Sequence, residues 1–181
     1  ETNDQKNLLV ILPARLVQLI LNDMSPDKRT ALLEECDSDL LNKLLKLLTL
    51  KEREVALSLL GYPENSIGRL MTPDYIAVRK EWTIKQTLDY IRENGTNTET
   101  LNVIYIIDDK GHLIDDIKVR EILIADVDTP IEEIIDGKFD SLLVTDDEEI
   151  AINAFKKSNH VALPITDANK LLLGIITIDD V

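Results

Sequence analysis

Between residue 74 and the last residue, one order of apolar runs, helical stretch and turns occurs twice. In the first copy Tyr75-Ile76-Ala77-Val78 reads as a short strand. Thr83 to Glu93 reads as a helix with Ile84, Leu88 and Ile91 on one face, stopped by Asn94-Gly95. Val103 to Ile107 is a buried strand, Asp108-Asp109-Lys110-Gly111 a hairpin turn, and a further strand lies near Leu113. The second copy runs Ser141 to Val144, Glu149 to Lys157, Val161 to Ile165 and Leu171 to Thr177. Setting Val78 against Val144 pairs Ile84 with Ile150. Setting Asp108 against Asp167 pairs Glu121 with Asp180 and leaves the first copy about seven residues longer around Thr96 to Leu101. A β-α-β-β unit of this size buries its apolar face by packing against its twin.

Residues 1–62 follow a different period. Leu40, Leu41, Leu44, Leu45, Leu47 and Leu48 recur at helical spacing, and start signals punctuate the run. Ser25-Pro26-Asp27 offers a cap, a proline at the first helical position and an acid in the first turn. Asp37 or Ser38, and Thr49, are further caps, and Gly61-Tyr62-Pro63 is a stop. Helices of about ten residues must stack in series to bury their stripes. A connector over 63–73, with Pro63, Asn65, Ser66 and Gly68, joins the two parts.

Charge divides along the same line. Residues 1–62 hold 8 basic and 10 acidic groups, net −2; residues 63–181 hold 12 and 24, net −12, which together make the −14 of the chain. From Asp126 to Glu149 there are ten carboxylates and one basic residue, Lys138. Such a surface argues against nucleic acid as a partner, because phosphate binding needs a basic face. The single cysteine, Cys36, has no partner for an internal disulfide and fits a reducing compartment. The longest apolar run, Leu8 to Leu21, is broken by Pro13, Arg15 and Gln18 and is too short to span a bilayer. Catalysis finds no support: His112 and His160 have no serine or cysteine nucleophile at a recognisable spacing and read as solvated surface residues. Trp82 reads as a packing anchor at the repeat or dimer interface. The start at Glu1 and the stop at Val181 suggest part of a longer protein.

The closing segment Gly174-Ile175-Ile176-Thr177-Ile178-Asp179-Asp180 resembles the signature of CBS domains. In the first copy that slot reads Asp115-Asp116-Ile117-Lys118-Val119-Arg120-Glu121, departing at the glycine, the threonine and the last aspartate. Met71-Thr72-Pro73 resembles the usual opening of a CBS domain. Tyr62 to Pro73, Arg79-Lys80-Glu81-Trp82-Thr83 and Ile175 to Val181 make the whole chain similar to the cytosolic part of the MgtE family of magnesium channels. The expected fold class is then α + α/β: a short-helix superhelical N domain over 1–62, the connector 63–73, and a tandem CBS pair of β-α-β-β-α repeats. The first CBS domain is expected over 74–137 and the second over 138–181, lacking its C-terminal helix.

The resemblance implies a cytosolic Mg²⁺ sensor at the cell membrane. It is homodimeric through its CBS domains, attached to a five-helix pore, and not an enzyme. It carries metal ligands over at Asp23 and Asp27, at Gly68 through its carbonyl, and at Asp147, Glu149 and Asp180. Asn159 stands where the family can have aspartate. It also implies ATP, with Arg120 for phosphate, Glu121 for ribose, and Tyr105 or nearby strand residues for the base. The residues themselves leave alternatives open. Oxygen ligands without a His/Cys cluster suit Mg²⁺ and not zinc, whereas an acidic face can be solvation only. Asp27 is also a plain first-turn residue, Arg120 a solvated charge and Tyr105 a core residue. An adenine-nucleotide-sensing CBS module with a helical adaptor domain fits the same pattern.

Overall fold

The computed structural model describes residues 8–63 and 65–181. The helical expectation for residues 1–7 and the place of Glu64 lie outside the described residues. Residues 8–11 are helical. Four helices follow: α1 (Ala14–Asp23), α2 (Pro26–Glu34), α3 (Ser38–Leu47) and α4 (Leu50–Leu60). Two of the caps form as the sequence places them, whereas Ser25 precedes α2 without a side-chain cap bond. Asp37 accepts from the Leu40 N–H at 2.9 Å, and Thr49 accepts from that of Glu52 at 3.3 Å. Each such bond satisfies one of the free donors of a helix start, a contribution of about 1 kcal/mol. The helices share one leucine core, including Leu21 and Leu33 at 0 % exposure. Arg29 is buried inside this bundle. It donates to the carbonyls of Leu21 and Met24 at 3.0 and 3.2 Å and pairs with Glu52.

A short helix, α5 (Ile67–Leu70), carries the chain into the repeats. It is clamped from both sides. Arg69 pairs with Glu34 of α2 and donates to the Tyr62 carbonyl at 2.5 Å. The N–H groups of Ile67 and Gly68 donate to the carbonyls of Asp146 and Val144 at 2.8 and 3.1 Å.

The first repeat consists of β1 (Ala77–Arg79), α6 (Ile84–Asn94), β2 (Val103–Ile107), β3 (Leu113–Lys118) and α7 (Val119–Ile124). The second has β4 (Leu142–Leu143), α8 (Glu148–Lys157), β5 (Ala162–Thr166) and β6 (Leu172–Thr177). Both sheets have the order first-second-third strand, parallel then antiparallel, with the same irregularity near the end of the middle strand. Val78 lies opposite Ile106 and Leu142 opposite Ile165. Val78 therefore corresponds to Leu142, two residues from the Val144 that apolarity alone suggested. The helix caps agree with this register, since Thr83 caps α6 and Asp147 caps α8. The extra length of the first copy falls to five residues, from 28 between Val78 and Ile106 against 23 between Leu142 and Ile165. A strand of two residues such as β4 carries too little pattern to fix its own register; the ladder fixes it.

The repeats are locked face to face. Val103, Tyr105 and Leu113 pack on Ala162, Leu172 and Ile175. The connector crosses over to join the far sheet, where Thr72 and Ile175 exchange two backbone hydrogen bonds of 2.9 Å. The hairpin tips also pair, His112 against Leu171. Asp108 and Asp167 each brace their own tip through two backbone N–H groups. Trp82 packs on Tyr90 at 5.2 Å within the core of the first repeat, not between repeats.

Candidate functional site

Two clefts of opposite chemistry flank the repeats. The first lies between the helical part and the first repeat and has a volume of about 490 Å³. The C-terminal end of α1 supplies Asn22 and Asp23 to it, α4 supplies Lys51 and Glu52, the start of the first repeat supplies Asp74, and the turn after α6 supplies Asn97, Thr98 and Glu99. Its walls are held by backbone-directed bonds. Asn22 donates to the Leu47 carbonyl at 3.1 Å and accepts from the Thr49 N–H at 2.8 Å, which pins the end of α1 to the start of α4. The Glu99 N–H donates to the Asp74 carbonyl at 2.8 Å, so these two acids stand together.

Four acidic residues thus line one cleft with Lys51 among them, Glu52 being paired with Arg29. Burial pushes the Asp74 carboxyl above its ordinary value; Lys51 and Arg29 pull it down and Glu52 pushes it up. Burial also raises Glu99, and the charges of Asp27, Asp180 and Asp74 raise it further, against Lys28. Each of these shifts means that the ionised acid costs the docked arrangement something. The donors are all oxygen, which suits a hard cation. Among the described residues no three His, Cys, Asp or Glu side chains converge as a direct metal cage. The cleft instead suits a hydrated ion held by one or two carboxylates, the habit of Mg²⁺.

Of the sequence-derived metal positions, Asp23 lines this cleft, and Asp27 and Asp180 act on its Glu99. Asp180 is half-buried and accepts from the Thr177 hydroxyl at 2.5 Å. Gly68, Asp147 and Glu149 sit on the other side of the junction. A Cβ on Gly68 would stand 2.6 Å from the Tyr62 ring and 2.8 Å from a Val144 methyl, so close packing already requires glycine there. Asp147 caps α8, accepting from the Ile150 N–H at 3.0 Å, and Glu149 is exposed in the first turn. Asp74 and Glu99 were missed by sequence reasoning. The extra residues around Thr96 to Leu101 were the available signal, since an insertion in one repeat had to go somewhere.

The second cleft, of about 580 Å³, lies where the repeats meet. Asn102, Lys118, Arg120, Asn159 and His160 supply its polar groups. Leu101, Val103, Val119, Leu123 and Val161 supply apolar wall. Among the described residues no carboxylate lines it, although the chain has 34. Arg120 is exposed here, as a phosphate contact requires. Asn159 joins it on this wall and not the acidic cleft. Glu121 is exposed, and its carboxylate accepts from the Lys118 N–H at 3.1 Å, but it does not line the cleft. Tyr105 is corrected to a core residue. Its ring is 0 % exposed, meets Tyr75 edge-on at 6.0 Å and lies off the cleft, where Val103 of the same strand is the wall residue. Burial pushes its hydroxyl well above the ordinary tyrosine range. His160 is likewise no solvated surface histidine. It lines the cleft with Nδ1 buried and 3.8 Å from Asp140.

The family described as "MgtE intracellular N domain" matches residues 1–65, and the CBS domain family matches residues 67–128. The crystal structure of the cytosolic domain of the Mg²⁺ channel MgtE in complex with ATP superimposes with a TM-score of 0.96 at 30 % identity. The match covers 99 % of this chain and 74 % of that one. The chain belongs to the MgtE family. It corresponds to the N domain and CBS pair of that family's cytosolic region. The magnesium transporter MgtE of Thermus thermophilus is 33 % identical over 139 residues, 77 % of this chain and 31 % of its own length. That of Bacillus subtilis is 26 % identical over 163 residues, 90 % of this chain and 36 % of its own length. The chain thus spans about a third of the length of these relatives. Among the described residues no helix is long and apolar enough to cross a membrane.

Proposed function

We propose that this chain is the Mg²⁺-sensing region of a magnesium channel or transporter, lying at the cytoplasmic face of the cell membrane. It acts as a homodimer joined through its CBS domains and attached to a membrane pore. The observation that carries the reading is the acidic cleft between the helical part and the first repeat. Like charges in contact repel by about 1 kcal/mol per pair in water and more when partly buried. Asp23, Asp74 and Glu99, with Asp27 and Asp180 at the margin, therefore oppose docking when no cation is present. Mg²⁺ entering between them reverses the sign, and mass action then favours the compact, closed arrangement. Gly68, Asp147, Glu149 and Asn159 remain in the proposed ligand set from the family resemblance. Limited proteolysis across a Mg²⁺ titration tests this. Protection of the 63–73 connector should rise with Mg²⁺, and Asp23→Ala with Asp27→Ala should shift the rise to higher concentration. Unchanged cleavage at all concentrations sinks the coupling.

A second reading has its own observation, the carboxylate-free cleft with Lys118 and Arg120. Its volume and mostly apolar wall suit a nucleotide, and the similar solved structure is a complex with ATP. We propose that Arg120 meets phosphate there and that Val103, Leu123 and Val161 cover the base; Glu121, next to Arg120 but outside the cleft wall, stays the ribose contact that the family resemblance implies. Calorimetry with ATP in the absence of Mg²⁺ decides this reading separately from the first.

A further inference from the structure

We propose that Lys118 makes the second cleft measure phosphate-chain length, favouring nucleoside di- and triphosphates over monophosphates; this rests on the nucleotide reading above. Lys118 occupies the ladder position that Thr177 holds in the second repeat: Val103 faces Lys118, and Ala162 faces Thr177. The two residues behave differently there. Thr177 turns its hydroxyl onto Asp180 at 2.5 Å and is buried. Lys118 is exposed, two residues from Arg120, and both line the same cleft. Among the described residues neither cation forms an ion pair. A single guanidinium holds one phosphate by its fork. A second cation on a flexible four-carbon stem reaches the next phosphate along the chain. A monophosphate offers nothing at that place, so it gains nothing from Lys118.

Calorimetric titration of the chain with AMP, ADP and ATP, without divalent cation, tests the assignment. The unaltered chain should bind ADP and ATP more tightly than AMP. Lys118→Met should weaken ADP and ATP by about tenfold or more, the scale of a lost charged hydrogen bond, and leave AMP unchanged. Lys118→Arg should keep the preference. The variant's melting temperature should match that of the unaltered chain, because the side chain is exposed. An ATP-to-AMP ratio unchanged in Lys118→Met, or an equal loss for all three, overturns the role of Lys118 and leaves the nucleotide reading standing. Binding of none of the three to the unaltered chain overturns both.

Discussion

Replacing Gly68 by alanine separates two reasons for a glycine at the junction. The added carbon would sit 2.6 and 2.9 Å from two atoms of the Tyr62 ring and 2.8 Å from a Val144 methyl. Tyr62 closes the helical part and Val144 belongs to the second repeat, so the methyl is a wedge between them. Overpacking of this kind costs about 1–3 kcal/mol. Alanine's better helix propensity returns at most about 1 kcal/mol, and less in a helix of four residues. The net loss is then about 1–2 kcal/mol, a fall in Tm of about 2–8 °C for a chain of this size. Differential scanning calorimetry reads the first number. Proteolysis at the 63–73 connector, which should quicken, reads the loosened docking. The carbonyl survives in Gly68→Ala, so a metal contact through it is not deleted directly. A Tm equal to or above that of the unaltered chain, with unchanged cleavage, would mean that packing is not why glycine stands there.

Arg29→Met should cost about 3 kcal/mol, the lower end for breaking a buried pair, because Glu52 keeps 23 % exposure and can turn to water; urea unfolding measures it, and a loss under 1 kcal/mol contradicts the reading. Asp115→Ala should cost about 1–3 kcal/mol. The fully buried carboxylate accepts from the N–H groups of Asp116, Asp136 and Gly137 at 2.8 to 2.9 Å, and faster amide exchange at Asp136 and Gly137 should accompany the loss. Mild acid should favour docking in Mg²⁺-free protein. The docked cleft holds Asp74 and Glu99 above their ordinary 3.8 and 4.5, so as pH falls toward those values the docked form takes up protons first and is relatively stabilised. Connector protection should therefore rise from pH 7 to 5 and lose that dependence in Asp74→Asn with Glu99→Gln; protection that falls with acid refutes it.

What the sequence disclosed depended on the kind of signal each residue carries. Asp37, Thr49 and Thr83 were legible as helix starts because capping is local, a matter of one side chain and an N–H three residues on. The repeat was legible because two middle strands and two hairpin turns carry period and turn chemistry. The register of β4 was not, since two strand residues cannot outvote an apolar neighbour such as Val144. The site was less legible than the fold for a related reason. Asp23 sits on α1 and Glu99 on a turn after α6, and only tertiary docking brings them to one cleft. Tyr105 shows the converse: an aromatic in a strand has two faces to choose from, and the packing of the second repeat onto the first decides that it is core.

The excess negative charge of residues 63–181 is not spread evenly over the CBS pair. Among the described residues, acids line the cleft toward the helical part, while the cleft where the repeats meet has none. Two copies of one unit would present like chemistry at both places. The divergence is already in the signature: Lys118 and Arg120 in the first repeat stand where Thr177 and Asp179 stand in the second. Two such differences, lysine against threonine and arginine against aspartate, give the two repeats different charge at equivalent places. Thr72, Ile175 and the face-to-face core around Tyr105 join the two repeats, and any coupling between the two clefts has to pass through packed side chains of this kind. A physical test of that coupling is reciprocal: if Mg²⁺ alters ATP affinity by some factor, ATP must alter Mg²⁺ affinity by the same factor.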